Sequence, residues 1–329
     1  MIMWRRVDRW FTVVSVALVC LTCGGWLWLL AYRGTPPAIN LGATVSTETL
    51  QQPITPTPQP PAADPLKLAL GDALFHDPRL FGTGKLACAS CHDLRTNGAS
   101  GSRFDQVSGV PLPDNTPTVF NAALNFRLDW AGDQPSLENQ VVSALRAHKT
   151  LANTPEQAAD RLNQAADVKS RFEAAYGHPA DRNNLVDAIA IFERSLTTPA
   201  SRFDRWLEGD TSALSDVELQ GYHVFRSMGC IDCHQGANVG GNLFERSGIF
   251  HPLTHSGSIL LRVPSLRNVA TTAPYFHDGS AQTLAEAVRR MASAQLNRTL
   301  TDQQDQEIVA FLQTLTGDYN GSPVRKPAQ

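Results

Sequence analysis

Cys88-Ala89-Ser90-Cys91-His92 and Cys230-Ile231-Asp232-Cys233-His234 are the two stretches on which the reading of this chain turns. Each sets two thiols three positions apart and a histidine directly after the second. That is the attachment motif of haem c: the thiols add to the haem vinyl groups and the histidine ligates the iron from the proximal side. A structural zinc site would need two more ligands at matched spacing, and a thiol redox pair has no need of the following histidine. The motif therefore predicts two covalent haems, one on Cys88, Cys91 and His92 and one on Cys230, Cys233 and His234. A third pair, Cys20 and Cys23, lacks the histidine and lies in an apolar run, where it reads as two small buried side chains.

Outward from the motifs, Gly71-x-x-Leu74-Phe75 leads to the first and Gly221-x-x-Val224-Phe225 to the second, so the soluble region reads as a doubled unit. Helix signals dominate it. Thr154-Pro155-Glu156-Gln157 is a capping start with proline at the first helical position, and Ser215-x-x-Glu218 is a capping box. Thr301-x-x-Gln304 opens a helix with Ile308, Phe311, Leu312 and Leu315 on one face, expected to stop at Gly317. No stretch alternates as a strand. The expected fold is mostly α, with two cytochrome c-like haem domains in tandem over residues 65–200 and 201–329.

Residues 1–33 read as a signal anchor. Phe11 to Tyr32 is 22 residues without a charge and follows Arg5, Arg6 and Arg9, which predicts a transmembrane helix with its N-terminus in the cytoplasm. The run exceeds an ordinary signal-peptide core and no small-x-small cleavage site follows, which favours an uncleaved anchor. Residues 34–64 hold seven prolines and almost no charge, a semi-extended linker. Haem c is attached outside the cytoplasm, so the folded part is expected on the periplasmic side of a bacterial inner membrane. A formal net charge of −3 supplies no basic field and excludes a nucleic-acid binder.

The sixth position of each iron decides the chemistry, since an electron-transfer haem fills it and an enzyme leaves it open. The soluble part has only two methionines. Met228 is two residues from Cys230, too close to reach the opposite haem face, which leaves Met291 as the sole candidate for a thioether ligand, against its alternative as a core methionine of an amphipathic helix. Arg267 is a candidate partner for a haem propionate, because guanidinium forks suit carboxylates. His76, His178, His223, His251 and His255 read as structural or solvated.

Val263-Pro264-Ser265-Leu266-Arg267-Asn268-Val269 through Thr272-Ala273-Pro274-Tyr275-Phe276-His277-Asp278-Gly279-Ser280 resembles the signature of bacterial di-haem cytochrome c peroxidases. Leu70-Gly71 to Leu80, Asn115-Thr116-Pro117-Thr118, Phe192-Glu193-Arg194 and Ser201-Arg202-Phe203-Asp204-Arg205 are similar too. The resemblance runs over nearly all of residues 65–325, including His277 and Met291 fourteen apart. It implies a high-potential, electron-accepting haem on His234 and Met291, and a low-potential haem on His92 where peroxide is reduced. It further implies that Trp130 bridges electron transfer, that Gln140 is the active-site glutamine, and that Asn115 with the carbonyls of Thr272 and Pro274 holds an inter-haem Ca²⁺. His277 would support the haem interface without ligating iron. Family members often pair as homodimers.

Two departures sharpen these expectations. Family members that need reductive activation carry a histidine in the loop after the first motif; here residues 93–114 contain no histidine, methionine or cysteine. A five-coordinate or water-bound first haem, ready without activation, is expected. The family's catalytic glutamate aligns near Thr150 and its proline near Ala144, so the glutamate is missing and His148 is the candidate proton carrier. Three functions follow from different classes. The first reduces hydrogen peroxide to water with single electrons from a small cytochrome c or cupredoxin. The second oxidises tryptophan side chains of a partner protein, against which Met291 argues, since the best-known member of that branch has tyrosine there. The third is a non-enzymatic membrane-tethered electron relay.

Overall fold

The computed structural model describes residues 52–107, 110–146, 154–254 and 257–327. The anchor of residues 1–33, His148 and His255 lie outside them. Among the described residues no helix is long and apolar enough to cross a membrane. The folded unit begins at Pro53 and is mostly helical. Its first half carries α1 (Pro65–Phe75), α2 (Leu137–Arg146), α3 (Pro155–Asn163), α4 (Ala166–Tyr176) and α5 (Arg182–Ser195). The second carries α6 (Arg202–Leu207), α7 (Asp216–Ser227), α8 (Leu284–Leu296) and α9 (Asp302–Gln313).

The capping signals act where the sequence puts them. Thr154 and Gln157 exchange side-chain to backbone bonds with Pro155 at the first helical position of α3, Ser215 and Glu218 open α7, and Thr301 and Gln304 open α9. α9 ends at Gln313, ahead of Gly317; Ile308, Phe311 and Leu312 bury their side chains from the helix and Leu315 from the turn after it. Among the described residues strand is confined to three short antiparallel ribbons: Gln106–Val107 with Val110–Pro111, Phe244–Arg246 with Leu260–Arg262, and Asp318–Tyr319 with Ser322–Pro323.

Each half is organised by one helix crossing at a glycine. Gly71 on α1 lies so close to α5 that a Cβ would collide with the Ala188 carbonyl, and Gly221 on α7 would collide in the same way with the Glu307 carbonyl of α9. The doubled Gly-x-x-[Leu/Val]-Phe is thus the footprint of a doubled crossing, with hydrogen as the only side chain that lets the backbones meet. Around the first crossing Leu70, Leu74, Leu162, Phe172, Leu185 and Ile189 form a buried core. Around the second the core is aromatic, with Phe203, Tyr222 and Phe225 each packing on Phe311 at ring centroids 5.0 to 5.2 Å apart.

The repeat continues beyond the motifs in strict register. Asn121 and Asn268, both left-handed at φ 60°, each start a tight turn and each donate to the Thr198 hydroxyl, at 2.7 and 2.9 Å. Leu128 pairs with Gln134 as Tyr275 pairs with Ala281, and α2 begins at Leu137 as α8 begins at Leu284. Every one of these positions recurs 147 residues later.

One boundary is corrected. Of the linker expected over residues 34–64, the part from Pro53 on belongs to the folded unit. Ile54 is buried in the second half's core, the Thr57 N–H donates to Asp204, and the Pro53 carbonyl accepts from Gly236. The segment that suggested a free tether has its backbone polar groups taken up by backbone and side-chain groups of the fold.

Candidate active site

Each attachment motif lies on a short 3₁₀ turn, Cys88–Ser90 and Cys230–Asp232, that folds the following histidine back over a cavity. The His92 N–H donates to the Cys88 carbonyl at 3.0 Å and the His234 N–H to the Cys230 carbonyl at 3.1 Å. Both rings are then fixed from behind, with His92 Nδ1 3.0 Å from the Gly98 carbonyl and His234 Nδ1 3.3 Å from that of Val239. A carbonyl only accepts, so Nδ1 carries the proton and the Nε2 lone pair is left for a metal. Burial keeps both imidazoles neutral, lowering His92 and pushing His234 down to about 4.

The four thiols line the same two cavities. Burial pushes Cys88 up to about 12, with Glu193 adding to it, and Cys91 and Cys230 up to about 11. Among the described residues no group of three histidine, cysteine or acidic side chains is placed to hold a metal ion. Paired thiols, a neutral imidazole and apolar walls suit a haem joined by thioether bonds, twice over.

The far walls of the cavities are built by α2 and α8. Leu137, Gln140, Val141, Ala144 and Leu145 line the first; Leu284, Ala287, Val288, Met291 and Ala292 line the second, at the same constant offset of 147. Met291 therefore faces the cavity of His234, and the equivalent place over His92 belongs to Ala144, whose methyl group has nothing to coordinate with. Gln140 joins the first cavity at the place of Ala287.

Trp130 stands between the two. Its indole lines the second cavity, while its neighbour Asp129 lines the first. Trp130 Nε1 donates to the Asn115 carbonyl at 2.8 Å, and its ring meets that of His277 edge-on at 6.3 Å. His277 is buried, lines the second cavity, and accepts the Asn115 N–H through its carbonyl at 2.7 Å. The Asn115 side chain donates to the carbonyls of Ser102 and Arg103, which leaves Oδ1 as its acceptor. Asn97 ties the same region to the Thr271 carbonyl at 2.6 Å, beside Thr272 and the cis Ala273–Pro274 peptide.

Arg267 is elsewhere. It is 2% exposed, pairs with Asp204 at 2.7 Å, and donates to the carbonyls of Ala237 and Thr55 and to the Ser201 hydroxyl. It lines neither cavity, so its guanidinium braces the fold where a propionate contact was expected. The repeat explains this: 147 residues earlier stands Phe120, a core side chain. Arg262 holds the cavity position instead. It lines the first cavity, its backbone N–H donates to the Trp130 carbonyl at 2.9 Å, and its Nη1 donates to Asn125 Oδ1 at 3.2 Å. Two acids of the first cavity also escaped sequence reasoning, Asp129 and Glu193. Glu193 is fully buried, pushed up to about 8 by burial and by Glu138, and its Oε2 is without a protein partner. His76, His178, His223 and His251 are exposed.

Comparison with known proteins agrees with this doubled site. The family model for di-haem cytochrome c peroxidase matches residues 65–212, and the one for cytochrome c matches residues 219–316. The chain is 38% identical to cytochrome c551 peroxidase of Nitrosomonas europaea, over 76% of this chain and 79% of that one. It is 28% identical to the methylamine utilization protein MauG of Methylorubrum extorquens, over 93% and 95% respectively. Among solved structures, a MauG-like protein associated with microbial copper homeostasis superposes with a TM-score of 0.68 at 25% identity, covering 82% of this chain and 95% of that one. The chain belongs to the di-haem cytochrome c peroxidase family. It is an oxidoreductase with two tandem cytochrome c-type domains, and the family's two haem c groups are what its two cavities are built to take.

Proposed function

We propose that the protein reduces hydrogen peroxide to two waters, taking two electrons and two protons per peroxide, with the electrons arriving singly from a small cytochrome c or cupredoxin. When bound, the haems supply a redox-active iron at each cavity. Cys88, Cys91 and His92 would hold the one that meets peroxide; Cys230, Cys233, His234 and Met291 would hold the one that receives electrons. The observation that carries this division is the exchange of Met291 for Ala144 at equivalent places of α8 and α2. The Met291 thioether would close one iron and raise its potential, while the Ala144 methyl group would leave the other accessible. Trp130, bonded to Asn115 and in contact with His277, supplies the bridge between them.

On this reading Gln140 orients peroxide in the first cavity, and Arg262 is the propionate partner. Asn115 Oδ1 with the carbonyls of Thr272 and Pro274 would hold a Ca²⁺ whose shell water completes, since an all-oxygen donor set suits a hard cation. The enzyme is tethered at the periplasmic face of the inner membrane and works without reductive activation. The test pairs a ferric spectrum with peroxide consumption by a reduced small cytochrome. One high-spin and one low-spin haem, with two donors oxidised per peroxide, are expected; two low-spin haems would refute the open site. The MauG-like relatives give a second reading, oxidation of a partner protein's tryptophan. It predicts peroxide consumption that stalls with a cytochrome donor and resumes only with a protein substrate.

A further inference from the structure

The wall of the first cavity differs from its twin at one more position. In the second half the turn between Tyr275 and Ala281 is closed at both ends, Tyr275 N–H to Ala281 carbonyl at 2.8 Å and Gly279 N–H to Phe276 carbonyl at 3.1 Å. Within it Phe276 adopts a left-handed backbone, φ 69°, and lines the cavity. In the first half the turn between Leu128 and Gln134 has the same bonds, Leu128 N–H to Gln134 carbonyl at 2.9 Å and Gly132 N–H to Asp129 carbonyl at 3.3 Å. The residue in Phe276's place is Asp129, at φ 65°, and it too lines its cavity. A conserved backbone device thus presents an aromatic ring on one side and a carboxyl group on the other.

We propose that Asp129 is the general acid–base residue of the first cavity, carrying a proton from one oxygen of hydrogen peroxide to the other as the O–O bond breaks. This rests on the peroxidase reading of that cavity. The bond electrons leave with the oxygen that receives the proton, which departs as water. The remaining oxygen, two electrons short, becomes the second water with two donor electrons and two protons from solvent. The task needs a group that first accepts and then returns a proton without diffusing away.

The surroundings of Asp129 fit the task. Gln140, on α2 of the same wall, hydrogen-bonds its carboxyl group. Burial raises its pKa, the Gln140 bond opposes that, Asp133 adds to it and Arg262 opposes it. Besides Arg262, the other ionisable groups of the cavity are the attachment-side Cys88, Cys91 and His92, and Glu193, whose charged neighbours are Arg194 and Glu138 and which also acts on Cys88. Asparagine tolerates the left-handed backbone as well as aspartate does, so Asp129→Asn removes the proton site without straining the turn.

The experiment uses the holoprotein with both haems. Hydrogen cyanide must also surrender a proton as it binds a ferric haem, yet it needs no bond cleavage and no donor electrons, so its association rate against pH reports proton transfer apart from turnover. Wild type is expected to show a break set by one carboxyl group. In D129N the break disappears and association slows at least tenfold, and kcat/KM for peroxide falls about 100-fold, at the low end of general acid–base effects. If the wild type consumes peroxide and D129N changes neither profile nor turnover, the assignment of Asp129 is overturned and the peroxidase reading stands. If the wild type consumes no peroxide but D129N still abolishes the cyanide break, the peroxidase reading fails and the proton role holds. No cyanide binding by the wild type would overturn both.

Discussion

Side chains decide the two ends of the chemistry. On the proposed reading Met291 would close one iron and raise its potential, so Met291→His should lower that potential by on the order of 100 mV and slow donor-driven turnover, as read by redox titration and steady-state kinetics. Glu193 makes a different prediction. Its carboxyl group sits at about 8 in the fold against an ordinary 4.5, so the fold binds a proton more tightly than the unfolded chain. Its contribution is intact below about pH 4.5 and is lost as pH rises towards 8, with a cost on the order of 3 kcal/mol at pH 7. Glu193→Gln should leave thermal stability at pH 4.5 nearly unchanged and raise it at pH 8. Equal melting shifts at both pH values would count against a buried protonated acid. The two attachment motifs were legible because their chemistry is written in adjacent residues. Arg267 and Arg262 were not told apart, because the residue that claims Arg267 is Asp204, distant in sequence, and guanidinium chemistry is the same for both.

Helices were legible where a local signal fixes them. The boxes at Thr154, Ser215 and Thr301 cap α3, α7 and α9 because each bond joins residues three apart. What local signals could not give is the crossing partner of each helix, and that is what the repeated glycine records. Gly71→Ala and Gly221→Ala should each force the backbones apart and cost about 1–3 kcal/mol, in the range of overpacked cores. Chemical denaturation should show this, with haem content retained in the milder case. A loss below 0.5 kcal/mol, roughly the size of an ordinary surface substitution, would mean the helices slide without penalty. The pairing of α2 with α8 was hidden for another reason: the offset of 147 residues differs from the 142 that separates the two motifs, so an alignment anchored on Cys88 and Cys230 slips out of register before Ala144 and Met291.

At the scale of the whole molecule the two halves exchange their ends. Pro53 to Thr57, ahead of the first half, packs on the second; the ribbon of Asp318–Tyr319 and Ser322–Pro323, after the second half, packs on the first, where Tyr319 meets Phe120 at 4.8 Å and Val324 joins the core of Phe75 and Phe192. Beside the buried Ile54 and the Gly236 bond to Pro53, one buried ion pair holds the N-terminal exchange. Arg267 and Asp204 are each 1% exposed in their side chains, Arg267 holds the Thr55 carbonyl at 2.9 Å, and Asp204 accepts the Thr57 N–H at 3.1 Å. Removing one partner strands a buried charge, so Asp204→Ala should cost about 3–5 kcal/mol. It should also expose residues 53–64 to limited proteolysis. Replacing both partners with apolar residues of similar volume should recover most of the stability, since a buried pair adds little beyond a packed core. The proteolytic sensitivity should persist, because the contact to Thr57 is gone in either variant and the contact to Thr55 is gone in the double one. If Asp204→Ala costs under 1 kcal/mol, Arg267 has another anionic partner in the haem-loaded protein, and a propionate would then be its natural claimant.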